Sequence, residues 1–398
     1  MNFRRLLIIS DNIPNKCHGG VSHTLYNLFD QWPSDKLIIF SEDANEQITA
    51  DHLHGEVLRI NLQRIKQWPN RLGKWGFNNW ITMANCWLID LLPVHWPSRI
   101  KKPDLILVSA TSVRKLQIAE RLQTLLHIPL VPYFMDNWMH ANTFTWGTSN
   151  LYQLVYRLLN RNRKWITISM ALQHALEREY HLVPHKCLHV HNPVASGTEL
   201  PPGKVVNEPF TIIYAGSVFD MHFDAILMTG KAIQALNRNY GRNAFELILF
   251  TTQSFWQSWQ HAFKSADISY GGFVHPDALP VSLSKAELLL VASAYDERYR
   301  HMVEASIQTK LTEYMRTGVP ILSVGPAYSA CHAFLRDWHS GWVFEGTSVD
   351  ALGAFIEQIK TDKATSDAYC TNALHVVATH FSKPVVQEKL YTFLAEVV

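Results

Sequence analysis

The segment Thr309-Lys310-Leu311-Thr312-Glu313-Tyr314-Met315-Arg316-Thr317-Gly318-Val319-Pro320 gathers a hydroxyl, a cation and a carboxylate just ahead of a glycine and a proline. The pattern predicts a helix over 310–317 that stops at Gly318, then a strand from Pro320. Thr309 is the expected N-cap, which leaves backbone amides pointing out of the helix start. Such a start attracts a phosphate, and Lys310 adds a full charge there. Glu313, three residues on, shares a face with Lys310. A carboxylate in that position accepts hydrogen bonds from the two hydroxyls of a ribose. One short helix would then hold both a diphosphate and a ribose. The plain alternative is a Lys–Glu surface pair, worth roughly a few tenths of a kcal/mol.

The elements that must position this segment read as alternating strands and helices. Strands are expected at 6–10, 37–40, 57–60, 105–109, 130–134, 165–169 and 187–191, then at 211–215, 247–250, 288–292, 320–324 and 342–344. Helices are expected at 20–31, 76–92, 112–126, 150–161 and 170–179, then at 224–239, 254–264, 310–317, 327–336, 350–360 and 384–396. Near-continuous apolar strands separated by helices mean parallel strands buried on both faces. The pattern occurs twice, on either side of SGTELPPGKVVNEP near residue 196, which reads as a linker. Two doubly wound domains follow, with the cleft between them as the default site.

Composition limits the function classes. The chain has 398 residues, 47% of them hydrophobic and 18% charged, which excludes a disordered chain. No apolar run is long enough for a transmembrane helix. The N-terminal MNFRRLLIISDNIP reads as a strand and loop rather than a secretory signal. Cys17, Cys86, Cys187, Cys331 and Cys370 form no C-x-x-C pair, which argues for reduced thiols in the cytosol. Residues 1–199 carry 21 Lys+Arg and 15 Asp+Glu, a balance of 21 − 15 = +6, and the remainder balances at 15 − 19 = −4. The basic half also holds Trp68, Trp75, Trp80, Trp87 and Trp96 among Arg59, Arg64, Lys66, Arg71, Lys74, Arg99, Lys101 and Lys102. That mixture suits a surface touching anionic lipid head groups, and equally a helical hairpin with solvated charges. No P-loop, no G-x-G-x-x-G after a strand, no G-x-S-x-G and no D-x-D occurs. Without paired carboxylates for a metal, cations and dipoles would hold a nucleotide diphosphate.

The 309–320 segment resembles the nucleotide-sugar site of GT-B glycosyltransferases, family 4 in particular, which often carry [ST]-K-x-x-E-Y-x-x-x-G-x-P there. The resemblance extends, in family order, to IISDNIPNKCHGGVSHTLYNL, ITISMALQHALEREY, LHVHNPV, FTIIYAGS and GGFVHPDALP. It implies two Rossmann-like doubly wound parallel-sheet domains facing across a cleft. These would be an acceptor-side domain at 1–195, a linker at 196–209, a nucleotide-sugar-binding domain at 210–383, and a C-terminal helix at 384–398 packing back towards the first domain.

By the same resemblance, Glu313 binds ribose, and Lys310 and Thr309 bind the diphosphate. Gly19 and Gly20 bring loop amides to the donor phosphate, where the absence of a side chain permits close approach. Phe273 and Val274 fall where main chain meets the base, with core packing as the alternative. Departures from the family pattern are local. Ser217 stands where relatives often have Arg, and no Lys follows it before Lys231. His222 is a loop histidine with a phosphate or an incidental role. Ala305 occupies the position of a second family glutamate, and Glu304 lies beside it. Arg298, Arg300 and His301 are an upstream basic cluster suited to phosphate, or a solvated loop. In IPLVPYFMDNWMHAN, Met135 takes the usual histidine position. Asp136 would orient the acceptor hydroxyl or take its proton, or merely cap a turn. His140 lies near the sugar, and Trp138 stacks on a sugar ring or packs in the core.

The expectation is a glycosyltransferase of hexosyltransferase type. It would move a sugar from a nucleotide-diphosphate sugar, UDP favoured, to a hydroxyl of a saccharide or lipid-linked acceptor. Retention, no metal and no cofactor are implied by resemblance, as is a place in polysaccharide or glycoconjugate synthesis. The chain is expected in the cytoplasm, with peripheral contact at the inner face of a membrane and no nucleic-acid partner. Alternatives are a nucleotide-sugar epimerase on the same fold and a degenerate sugar-binding partner protein.

Overall fold

The computed structural model describes residues 3–43, 46–60, 84, 88–138, 148–195 and 208–397. They fall into two compact units: residues up to His191 together with those from Val386 onward, and Asn192–Val385.

Unit 1 is built on seven strands: β1 Leu6–Ser10, β2 Leu37–Ser41, β3 Glu56–Val57, β4 Leu105–Ser109, β5 Leu130–Phe134, β6 Lys164–Thr167 and β7 Lys186–His189. All pair in parallel, in the order β3-β2-β1-β4-β5-β6-β7. β1, β2, β4 and β5 are buried at every residue, as strands covered on both faces must be. The described helices are α1 Gly20–Phe29, α2 Val113–Leu126, α3 Thr148–Arg161 and α4 Met170–Tyr180. Ser112 and Ser169 cap α2 and α4 by accepting from the amides of Lys115 and Leu172. A last helix, Lys383–Ala395, docks on α1. There Gln387 Nε2 donates to Asn27 O at 2.9 Å and Asp30 Oδ1 at 2.7 Å, and Tyr391 donates to Leu28 O at 2.9 Å.

Unit 2 carries six parallel strands in the order β10-β9-β8-β11-β12-β13. They are β8 Phe210–Ala215, β9 Phe245–Phe250, β10 Ile268–Gly272, β11 Leu288–Ala292, β12 Ile321–Val324 and β13 Trp342–Phe344. Its helices are α5 Asp220–Tyr240, α6 Gln253–Ser265, α7 Leu279–Leu283, α8 Arg300–Val303, α9 Lys310–Met315, α10 Ala330–Asp337, α11 Val349–Thr361 and α12 Lys363–Val376, leaving Lys383–Ala395 as α13. One apolar cluster joins one sheet face to α5, α6 and α11. A second joins the other face to α9, α10 and α12.

Among the described residues, β10, α7, α8 and α12 have no counterpart in the sequence expectation, and β3 spans Glu56–Val57 rather than 57–60. β10 is an edge strand with only Ile268 fully buried, so its Ser-Tyr-Gly-Gly remainder has no apolar signature. α12 buries Ser366, Cys370, Ala373 and Val376, a helical face of small residues that a search for large apolar side chains overlooks. The tryptophan-rich stretch lies outside the described residues from 61 to 83 and at Trp87, as does the linker from 196 to 207. No described helix is long and apolar enough to cross a membrane.

Gly230 shows how tightly α5 sits on the sheet edge. A Cβ there would meet Ile268 Cγ1 at 2.6 Å and Ala266 O at 3.0 Å. Alanine is the better helix former by ~1 kcal/mol, but overpacking costs ~1–3 kcal/mol. Gly230→Ala should therefore lower stability by about 1 kcal/mol, read from the urea midpoint of the two proteins.

Candidate functional site

In unit 2 the chain order reverses between β8 and β11, which makes the carboxyl ends of these strands the expected binding crevice. The two strands part early. β8 pairs with β9 at six positions but with β11 only at Ile212 and Ile213. Past that point a side chain substitutes for the sheet: the Ala215 amide donates to Tyr314 Oη at 2.7 Å. Tyr314 is buried completely, so the phenol fills the gap and satisfies a backbone group that the ladder leaves open.

Lys310 enters the same gap, one turn earlier on α9. Its Nζ lies 3.4 Å from the centroid of the Tyr214 ring. Among the described residues this buried nitrogen has no hydrogen-bond partner, and no carboxylate pairs with it. Burial pushes its pKa well below the usual lysine value, and the nearest compensating group is only the Cys331 thiol. The thiol itself is pushed up to about 11 by burial. A cation–π contact offsets part of the desolvation but supplies no counter-charge.

The turn after β8 is shaped around this ammonium. Gly216 has φ +127, and a Cβ on it would lie 3.3 Å from both Lys310 Cε and Nζ. Glycine is needed twice over, for the backbone angle and for the approach of the lysine. Tyr214 donates to Ser217 O at 2.7 Å, which ties the turn to the aromatic floor. His222 is buried, and its Nδ1 accepts from the Phe219 amide at 3.3 Å. Desolvation, reinforced by Lys310, pushes its pKa well below the ordinary value, so it is neutral at pH 7. The imidazole therefore braces the start of α5.

Two expectations for the 309–320 segment are corrected, and the plain alternative of a Lys–Glu pair is not formed. Thr309 has helical angles, φ −58 and ψ −28, and its hydroxyl makes no capping bond. α9 is six residues long, shorter than the expected 310–317, and too short to supply much dipole; the charge at its start is the lysine itself. Lys310 does not pair with Glu313. The carboxylate instead lies 2.8 Å from Arg316 Nε on its own helix, with both groups largely buried. That pairing fixes Glu313 while an ionised carboxylate keeps further acceptor sites. Gly318, at φ +68, ends the segment as expected. Asn192, at the Asn-Pro turn, supports α9: Thr312 donates to Asn192 O at 2.9 Å, and Asn192 Nδ2 donates to Thr309 O at 3.4 Å.

Upstream, Arg300 lies 3.4 Å from both Glu297 and Glu304 and stacks on the Tyr328 ring at 4.5 Å. Arg298 pairs with Asp296 at 2.6 Å. These two arginines are already matched by carboxylates, and Glu304 is engaged by Arg300. Phe273 follows β10 and is 54% exposed, so core packing does not explain it; Val274 beside it is partly exposed.

In unit 1, Gly19 is the N-cap of α1 and Gly20 its first residue, at the loop after β1. Asp136 follows β5, next to buried Met135, and is partly exposed. Trp138 is not a core residue: it is partly exposed, and its indole donates to Ala110 O. His140 lies outside the described residues. The residues missed in the sequence are Tyr214 and Gly216, whose roles follow from Lys310 crossing the sheet gap. The AGS turn was visible, but nothing local marks its aromatic floor.

No protein-family model matches the sequence, and no curated protein matches it. Solved structures do match the fold. Anabaena HepE, in complex with UDP and glucose, superposes with a TM-score of 0.67 at 14% identity, covering 99% of this chain and 100% of that one. Sucrose-phosphate synthase from Thermosynechococcus elongatus gives 0.68 at 13%, covering 99% of each chain. The fold is that of the GT-B glycosyltransferases. An α,α-trehalose-phosphate synthase from Burkholderia xenovorans, in complex with glucose-6-phosphate, gives 0.66 at 9%, covering 98% and 100%.

A buried, unpaired ammonium destabilises the free protein, and methionine fills the same space without charge. Lys310→Met should therefore raise the melting temperature of the ligand-free chain. The sign is fixed by the lowered lysine pKa. Between that value and the ordinary one the unfolded state holds the extra proton, so stability rises with pH. The gain from Lys310→Met should shrink between pH 7 and pH 10, as scanning calorimetry at the two values would reveal.

Proposed function

We propose that this chain is a glycosyltransferase using a nucleotide-diphosphate sugar, with UDP as the nucleotide. The single observation that carries the reading is the unpartnered Lys310 ammonium, buried at the β8/β11 switch point beneath a glycine turn. An anion arriving there finds a desolvated amine that it can hold in the protonated form, with no carboxylate among the described residues competing for that charge, and a diphosphate is the anion this fold's catalysts handle. HepE, a structural neighbour, was solved with UDP and glucose, and with UDP-glucose. Glu313, held by Arg316, would accept from ribose hydroxyls, and Phe273 with Val274 would border the base.

The chemistry asked of the site is stabilisation of the departing diphosphate. Lys310 meets that charge in a low-dielectric setting, where a fixed cation is worth far more than in water. With Ser217 in place of an arginine, and Arg298 and Arg300 paired, Lys310 is the main cation offered to the phosphates by unit 2. Asp136 would orient or deprotonate an acceptor hydroxyl. The acceptor is a saccharide, free or lipid-linked, and transfer proceeds with retention and without a catalytic metal, in polysaccharide or glycoconjugate synthesis. A cytoplasmic site of action is part of the same reading.

Thermal unfolding with UDP, GDP, ADP and CMP tests the reading. At about 100 times its dissociation constant a ligand adds roughly 2.7 kcal/mol. UDP should raise the melting temperature of the wild type, and the shift should disappear in Lys310→Met and shrink in Glu313→Ala. No shift with any nucleotide would sink the proposal.

Proton linkage gives a second check. A bound diphosphate restores the charged form of Lys310, so binding takes up a proton, and affinity falls as pH rises. Titration calorimetry at pH 8, where the nucleotide is fully ionised, in buffers of different ionisation enthalpy should record that uptake in wild type and not in Lys310→Met.

A further inference from the structure

Three charged residues follow one another at intervals of three: Lys310, Glu313 and Arg316. The first two lie in α9, and Arg316 is its C-cap with helical angles, φ −74 and ψ −10. Helical spacing therefore sets Glu313 beside a cation on either side, and the carboxylate can answer one or the other.

In the folded chain it answers Arg316. Glu313 Oε2 lies 2.8 Å from Arg316 Nε, and the two side chains are only 16% and 18% exposed. Nε is buried without an aligned hydrogen bond, so the attraction is chiefly Coulombic. Two preferences favour this choice. A carboxylate N-terminal to its cation is the better order along a helix, and Glu313 precedes Arg316 but follows Lys310. A guanidinium is also more weakly hydrated than an ammonium and so suits a largely buried pair.

The consequence falls on Lys310, whose Nζ stays on the Tyr214 ring. The titratable groups facing it from other elements are Tyr214 on β8, His222 on α5 and Cys331 on α10. Burial pushes the phenol and the thiol up and the imidazole down, so none of the three is charged at pH 7. Glu313 is the one carboxylate on α9. Turned towards Lys310, it would hold the amine in a closed ion pair, and an arriving anion would have to compete with it.

We infer that Arg316 is a positioning residue of this site: by holding Glu313 it keeps the carboxylate off Lys310, which leaves the lysine to an anionic ligand. One guanidinium thus separates the two chemistries that α9 carries, an acceptor at Glu313 and a cation at Lys310. This partition of charge is independent of the reading proposed above; only the identity of the anion as a donor diphosphate rests on it.

NMR of the full chain, isotope-labelled at the lysine ε-carbons, follows the ionisation of Lys310 without ligand, its signal being the one absent from Lys310→Met. The midpoint should rise by about one pH unit in Arg316→Met and in Arg316→Gln, because an opposite charge close by favours the charged form. It should return to the wild-type value in Arg316→Met/Glu313→Gln, and stay there in Arg316→Lys, which keeps a cation for Glu313. Affinity for inorganic pyrophosphate, read by titration calorimetry, should fall about tenfold in Arg316→Met and recover in the double variant. No rise in either single variant overturns the inference. An equal rise in the double variant overturns it too, since the loss of a neighbouring positive charge would then be the whole effect. So does pyrophosphate bound as tightly by Arg316→Met as by the wild type. The ionisation is read without ligand, so a wild type that binds neither UDP nor pyrophosphate counts against the donor reading alone.

Discussion

A lysine side chain held against a tyrosine ring, with no carboxylate among the described residues to answer it, is the constraint around which unit 2 is arranged. It requires a gap between two neighbouring strands of the sheet. β8 and β11 open that gap beyond Ile213 and Leu289. It requires a substitute for the lost ladder, which Tyr314 supplies to Ala215. It requires a residue without a Cβ over the cation, which is Gly216. It also requires α9 to be held at a fixed height, which the Asn192 contacts to Thr309 and Thr312 provide. Each of these features alone is ordinary. Together they carry a cost to the free protein, the desolvation of an amine that no described carboxylate answers.

The carboxyl ends of the unit 1 strands follow a different logic. Their charges are matched: Lys115 with Asp11, Arg114 with Glu42. Burial pushes the Glu42 carboxyl up, while Lys115 and Arg114 pull it back. Matched charges at the end of a parallel sheet hold side chains in one geometry and leave little net field. The two units thus differ in charge matching at the ends of their strands although both carry parallel sheets.

The arginines upstream of α9 mark the limit of reading charge by eye. Arg298 and Arg300 look like phosphate ligands when counted as cations. In the folded chain Asp296, Glu297 and Glu304 neutralise them within a turn or two of backbone. Exposed pairs of this kind add little stability.

Much of the architecture was legible in the sequence. Short apolar strands alternating with helices dictate parallel sheets covered on both faces, and of the thirteen described strands all but β10 overlap an expected one. β10 and α12 were not legible, because one is a polar edge and the other packs through small residues. Lys310 and Glu313 were also legible as chemistry-bearing residues, since their types and spacing are local facts. Their partners were not. Whether Lys310 would meet Glu313 or the Tyr214 ring depended on where β8 lies beside α9, nearly a hundred residues away in the chain. Asp11 and Thr111, held together by one hydrogen bond, are likewise joined only by the β1/β4 pairing. The sequence determines local periodicity and which groups can carry charge. Tertiary structure alone decides which charges are desolvated and which are answered, because those are properties of neighbours that the chain brings together only on folding.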